Sequence, residues 1–358
     1  MSWAWLDSLR ETIGQPQFTL LFAPAAKFLV AIVVILLIIA YLVFVERRLL
    51  GFLQVRLGPN RVGPWGLLQP IADILKLLIN EDTIPNRAVR WAYLLAPCLV
   101  VAPAFVIFSV VPFGPSPNAP GAPRWYVTDL DAAIIFVVAL ASLGIYGIIL
   151  GGWSSNNKFS LLGGLRSAAQ MVSYEVPQGL ALVGPLMLAG SMSLVGIVES
   201  QAQRGLWFAV PQIVAFFIYF VAGVAETNRN PFDLPEAESE LVAGFHTEYS
   251  GVRFALFFLG EYANMIVISA IAVTVFLGGW LRPFPSIEAL AFLDLIPGAV
   301  WFFLKVFAFL FLFIWFRGTF PRFRFDQLMA LGWKWLIPLA LANLMVTGLL
   351  VVLLNGRT

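Results

Sequence analysis

Apolar positions along this chain come in long runs, broken at intervals by short polar and Pro/Gly-rich stretches. Eight windows of mostly apolar residues stand out, at 25–46, 91–112, 131–152, 163–190, 208–226, 253–279, 298–316 and 331–354. A helix needs about 20 such residues to cross the ~30 Å hydrocarbon layer of a bilayer. Strands of a membrane barrel alternate every second residue, and these runs do not. The pattern predicts an all-α, polytopic membrane protein of about eight transmembrane helices, with residues 1–358 forming one integral membrane domain. The first window does not read as a cleaved signal peptide. It is too long, acidic Asp7 and Glu11 precede it, and it ends in Glu46-Arg47-Arg48 instead of small residues. The two halves of the chain do not repeat one another as in many transporters. Over 65–79 the period changes. Gln69, Asp73, Lys76 and Asn80 form one helical stripe, with Leu68, Ile71, Leu75 and Leu78 opposite. This predicts an amphipathic interfacial helix, either a surface anchor or a helix turning its polar stripe toward a protein cavity.

Composition agrees with lipid as part of the solvent. The chain is 60% hydrophobic and 12% charged, with mean hydropathy +0.87. That is about half the charged fraction of a globular protein and excludes a soluble fold. One cysteine, Cys98, and one histidine, His246, rule out an internal disulfide. They also leave too few ligands for an iron–sulfur, haem or zinc centre, so no metal site is expected. A net charge of +2 gives no nucleic-acid signal, because the charges flank apolar runs. Their distribution says more. Fifteen of the 22 Lys and Arg residues fall in or beside the connections after windows one, three, five and seven, and five fall in the other connections and the terminal segments. The positive-inside rule puts the richer side in the cytoplasm or matrix, and both termini on the opposite, periplasmic side.

The inner connections carry the unusual sequence. The first contains Glu46-Arg47-Arg48 and then Arg56 through Gly66, where two Gly-Pro steps favour an ordered turn. Its glycines are not a dinucleotide fingerprint, since no strand precedes them and Pro59 and Pro64 interrupt them. The third inner connection, 227–252, is an acidic loop holding Arg229, Asp233, Glu236, Glu238, Glu240 and Glu248. Crowded carboxylates raise one another's proton affinity, so the loop can take up protons; the plain alternative is a solvated acidic loop. The last connection interleaves Arg317, Arg322 and Arg324 with Phe residues, as juxtamembrane anchoring or partner docking requires.

Acids also lie within the runs. Glu175 sits in window four, about 14 Å from Arg166 at 1.5 Å per residue. Glu261 is similarly deep in window six, Glu46 and Glu226 close windows one and five, and Lys305 lies in window seven. A charge at membrane depth costs at least ~2.5–3.5 kcal/mol, so such groups face the bundle interior and often mark a proton path. For Glu46 and Glu226 an ordinary helix-end charge is the competing reading. For Lys305 it is snorkelling or a structural ion pair. His246 reads as a structural or interface group.

Taken together, these strings closely resemble one family, the H-type membrane subunit of respiratory NADH:quinone oxidoreductase (complex I), known in mitochondria as NADH dehydrogenase subunit 1. The matching stretches are Glu46-Arg47-Arg48, Gln54 through Gly66, Leu67 through Asp73, Lys158 through Gly163, Ser173-Tyr174-Glu175, Ala225 through Leu241, Gly244 through Tyr249, Glu261-Tyr262 and Pro321 through Gln327. They run from the first window to the last, so the resemblance covers nearly the whole chain. Residues 1–20 carry no motif of the family. Where some bacterial members have a glutamate in the third span, this chain aligns Ser142, so either a span-three acid is not universal or water or Tyr146 substitutes for it.

The resemblance implies a subunit at the joint between a redox arm and a membrane arm, in a proton-translocating oxidoreductase of the translocase class. It implies that Glu46, Arg47, Asp73, Lys76, Arg229, Asp233, Glu236, Glu238 and Glu240 border a ubiquinone or menaquinone chamber, with no covalent catalytic role. It also implies that Glu175, Glu226 and Glu261, with Lys305 considered beside them, carry protons away from it. Quinone is then the substrate, and FMN and iron–sulfur clusters belong to partner subunits, this chain binding none alone. The expected partners are the hydrophilic quinone-site subunits, small membrane subunits and lipid, with no nucleic acid. The bacterial plasma membrane is expected over the mitochondrial inner membrane. The alternative is the related membrane subunit of a membrane-bound hydrogenase.

Overall fold

The computed structural model describes residues 22–115, 125–234, 242–284, 286 and 288–355. The described residues fold into helices and connections, with no strand among them. The helices are α1 (Ala23–Leu53), α2 (Gln69–Ile79), α3 (Arg90–Ile107), α4 (Ala133–Ser154), α5 (Lys158–Ala189), α6 (Leu194–Arg204), α7 (Ile213–Glu226), α8 (Gly251–Phe276), α9 (Gly298–Thr319), α10 (Phe325–Ala330) and α11 (Ile337–Asn355). A π-helical turn, Leu331–Leu336, joins α10 to α11. Six helical segments are long and apolar enough to cross a membrane, and a seventh arises if α5 and α6, bent by 56°, form one span. The chain is thus a multi-pass, all-helical membrane protein.

Window five, 208–226, holds a shorter helix than its apolar run. The helix begins only at Ile213, because Phe208 donates its backbone N–H to Gln201 Oε1 at 3.0 Å and 207–212 runs as turns. At 14 residues it is about 21 Å long. Window four behaves oppositely. Asn157 caps α5 by accepting from Phe159 N at 2.9 Å, the helix runs 32 residues, and Gly190 ends it in the left-handed region that glycine tolerates. Ser193 then caps α6.

The core is arranged around α8. Of its most apolar window 72% is buried, against 22% for α1 and 17% for the last span. Met265 through Phe276 are buried without a break, as expected of a helix surrounded by others. α8 packs on α3, α7 and α9, and α5 packs on α4, α7 and α11. Two apolar clusters result. The larger runs through α5, α7, α8 and α9. The smaller gathers Tyr93, Val100, Ile148, Met171, Phe245 and Phe257 where α3, α4, α5 and α8 meet the loop before α8.

The interfacial helix forms from Gln69 instead of 65, after a 3₁₀ turn at Pro64–Gly66. Gly66 is required there. Its φ is +81°, and a Cβ would collide with the carbonyl oxygen of Pro59. The polar stripe divides, with Lys76 and Asn80 exposed at its far end. Gln69 and Asp73 face the protein, while Ile71, Ile74, Leu75 and Leu78 are exposed.

Candidate functional site

Glu46 is the most buried acid of the site. It lies in α1 where that helix passes α8 and α9. Its Oε1 accepts from Arg229 Nη1 at 3.0 Å and from Arg317, and its Oε2 accepts from the Tyr262 hydroxyl at 2.7 Å. Arg229 reaches the other way as well, with Nε 2.6 Å from Glu261 Oε1. That N–H points off the line to the carboxylate, so this contact is an ion pair by proximity more than an aligned hydrogen bond. The guanidinium also lies 4.5 Å from the Tyr262 ring centre. Burial alone would lower the Arg229 pKa. Glu261 and Glu46 outweigh it and hold the group charged, above its ordinary value. One arginine thus bridges two acids from different helices, α1 and α8.

The loop after α7 puts Arg229 in place. Gln170 of α5 donates from Nε2 to the carbonyls of Ala225 at 2.8 Å and Phe232 at 2.9 Å, closing the turn on itself. Asn228, with φ +50°, donates to Ser167 at 3.0 Å. Phe323 N donates to the Pro231 carbonyl, tying the same loop to the connection before α10. Asp233 follows and pairs with Arg322 at 3.0 Å. Burial raises the Asp233 pKa, and the nearby arginines only partly offset it. Glu236, Glu238 and Glu240 lie outside the described residues.

Arg47 and Asp73 form a separate, more exposed pair at 2.7 Å, with Gln69 donating to the other Asp73 oxygen at 2.9 Å. Lys76 is exposed one turn along α2. The pair joins α2 to the end of α1, directly after Glu46.

Two small cavities share Glu226 and Asn264 in their walls. The first is lined by Glu261, Asn264, Glu226 and His246 among apolar walls, the second by Glu226, Asn264, Gln178, Tyr219 and Glu175. Each has room for about one or two waters. Glu226 lines both, and its Oε2 is buried with no hydrogen-bond partner among the described residues. Ser142 of α4 donates to Glu175 Oε1, which ends the series. Tyr146 does not reach it and is 60% exposed, so the hydroxyl at the aligned position itself meets the acid. Pro177 has no N–H for the carbonyl four residues back, that of Ser173, beside Glu175.

Four acids predicted from separate windows are thus neighbours in pairs: Glu46 and Glu261 meet on Arg229, Glu261 and Glu226 line the first cavity, and Glu226 and Glu175 line the second. Lys305 is not brought to them. Its Nζ donates to the carbonyls of Leu277 at 2.6 Å, Gly279 at 3.0 Å and Leu281 at 2.7 Å, just past the end of α8, and lies 4.6 Å from the Trp207 ring centre. Among the described residues it pairs with no acid, and instead of snorkelling it closes a helix C-terminus, where the backbone dipole favours a cation. Arg317, which reads in the sequence as an anchor or docking group, belongs to the site. The signal for it is the buried Glu46, which needs compensating cations.

The family profile described as NADH dehydrogenase matches residues 26–348. The chain is 52% identical over 343 residues to the H subunit of NADH-quinone oxidoreductase from Magnetococcus marinus, covering 96% of this chain and 95% of that protein. It is 53% identical over 331 residues to the H subunit from Paraburkholderia xenovorans, covering 90% of each. Against the second of two H subunits from Geobacter metallireducens it is 48% identical over 355 residues, covering 96% of this chain and 99% of that protein.

Proposed function

The chain belongs to the NADH dehydrogenase family that includes the H subunit of NADH-quinone oxidoreductase, and from that premise we propose that it walls the quinone chamber of the complex and couples quinone reduction to proton movement. It is a membrane subunit of that oxidoreductase, and other subunits of the complex are its partners. The relatives reported above carry the quinone oxidoreductase name, which favours this reading over a hydrogenase subunit.

In this reading Glu46, Arg47, Asp73, Lys76, Arg229 and Asp233, with Glu236, Glu238 and Glu240, shape the chamber. Flavin and iron–sulfur clusters in partner subunits supply the electrons, and this chain holds no redox centre. The outward apolar face of α2 meets lipid, so a long-tailed quinone arrives along that face. Reduction of a quinone to a quinol consumes two protons in its balanced reaction. Drawing them from the Arg229 neighbourhood disturbs the Glu46–Arg229–Glu261 bridge. Glu261, released from part of its ion pair, exchanges a proton through the first cavity with Glu226. The second cavity passes it to Glu175, which Ser142 holds. Lys305 carries no proton in this scheme and fixes the far end of α8. Counting the bent α5 and the short α7 as spans beside the other six gives eight crossings of a bacterial plasma membrane, with both termini on the periplasmic side.

The observation that carries the proposal is Glu226 lining both cavities, with Glu261 on one side and Glu175 on the other. The test is Glu226→Gln and Glu261→Gln in the assembled complex, with quinone-linked NADH oxidation and proton uptake by inverted vesicles measured together. Both should fall steeply, while NADH oxidation by an artificial acceptor ahead of the quinone stays normal. Full coupled turnover in both variants would sink the proposal.

A further inference from the structure

The chain's single histidine shares a cavity with two of these acids. His246 closes the 3₁₀ turn Gly244–His246 in the loop before α8 and lines the first cavity together with Glu261, Asn264 and Glu226. It is a fixed group. Phe245, Phe254 and Phe258 pack against its ring at steep angles, with centroids 4.9, 5.3 and 6.1 Å away. Its carbonyl accepts from Tyr249 N at 3.0 Å. The turn itself is held by close backbone approach. A Cβ on Gly163 of α5 would stand 2.6 Å from Gly244 Cα, so only glycine lets the turn sit this deep.

We propose that His246 is a proton-relaying group between Glu261 and Glu226, with water in the first cavity completing the link. The proposal rests on the proton route proposed above and adds a carrier to it. Chemistry supports the role. A neutral imidazole offers one N–H donor and one acceptor nitrogen, so it takes a proton at one nitrogen while giving up the proton on the other. The balance is simple. A proton leaves the Glu261 carboxyl for the acceptor nitrogen, the opposite N–H proton passes to the Glu226 carboxylate, and the tautomer resets by the reverse exchange with cavity water. Burial lowers the His246 pKa to about 4, so the imidazolium does not accumulate and the ring rests neutral. Glu226, whose Oε2 is buried without a partner among the described residues, lines the same cavity and supplies the acceptor.

The test uses the assembled complex carrying His246→Gln, which keeps a hydrogen-bonding side chain of similar reach but cannot relay, and His246→Ala. Quinone-linked turnover and proton pumping should fall about tenfold in both. That is below the ~100-fold or more of a positioned group at a reacting bond, because cavity water still carries part of the flux. Added imidazole should restore much of the lost turnover in His246→Ala and none in His246→Gln. The artificial-acceptor activity and complex assembly should be unchanged. Normal pumping in His246→Gln, or loss in His246→Ala that imidazole does not restore, overturns the relay. Parallel Glu226→Gln and Glu261→Gln variants separate the two levels. If they lose pumping while His246→Gln does not, the relay alone fails; if they also pump normally, the route fails with it.

Discussion

At the scale of single residues, burial decides which ion pairs matter. Arg229 and Glu46 are 5% and 3% exposed at the side chain, whereas Arg47 and Asp73 are 49% and 31% exposed. Removing one partner of a buried pair leaves an uncompensated charge and costs about 3–5 kcal/mol, while an exposed pair is worth ~0–1 kcal/mol. Arg229→Ala is therefore expected to lower the thermal midpoint of the complex sharply, and Asp73→Asn to leave it nearly unchanged. Scanning calorimetry of the two purified variants checks the order. His246 gives a pH prediction. Its folded pKa, about 4, lies below the ordinary 6.5, so the unfolded chain takes up a proton that the fold refuses. The neutral ring's contribution is complete above pH 6.5 and is lost progressively down to pH 4, about 3 kcal/mol in all. His246→Phe should show a flatter fall of unfolding midpoint with acid than the wild type. The acids of the route are legible in the sequence because charges are rare in apolar runs. Their partners are not. Arg317 lies 271 positions from Glu46 and Ser142 lies 33 from Glu175, and nothing local announces contacts made through packing.

At the scale of elements, close approach through glycine controls which helices touch. Gly163 admits the Gly244 backbone, and Gly152 of α4 admits the Ser160 carbonyl, where a Cβ would stand at 2.5 Å. A Cβ on Gly144, by contrast, meets nothing within 4 Å. Gly163→Ala should thus destabilise by ~1–3 kcal/mol, since a backbone cannot swing aside as a side chain does, and should displace the turn carrying His246. Gly144→Ala should be tolerated. The yield of intact complex on native gels distinguishes them. The apolar windows mark the helices well because burial and lipid both select the same residues. Their ends are less legible. Ile213 begins α7 five residues into window five because a long-range bond from Phe208 to Gln201 claims that backbone. The start of α2 falls at Gln69 because Gly63, Trp65 and Gly66 adopt positive φ.

At the scale of the whole molecule, the asymmetry of Lys and Arg predicts which side of the membrane each connection faces. A Cys98→Ser background removes the only native thiol. Cysteine placed at exposed Pro115 is expected to react with an impermeant thiol reagent in intact cells, and cysteine at exposed Arg56 only in inverted membranes. The reverse pattern would invert the topology. The Lys305 cluster has a mechanical consequence. Three carbonyls just beyond the end of α8 are gathered on one ammonium, while the Glu261 stretch of the same helix is held by the ion pair to Arg229, which the proposed chemistry would break. A stiff rod gripped at one end and released at the other is a lever. Glu261 and Leu277 are separated by about 24 Å of helix, so a tilt of about 2° around that pivot swings the carboxylate by roughly 1 Å. That is enough to exchange one hydrogen-bond partner for another, so under the proposed coupling a small electrostatic event would work as a switch without unfolding a single turn.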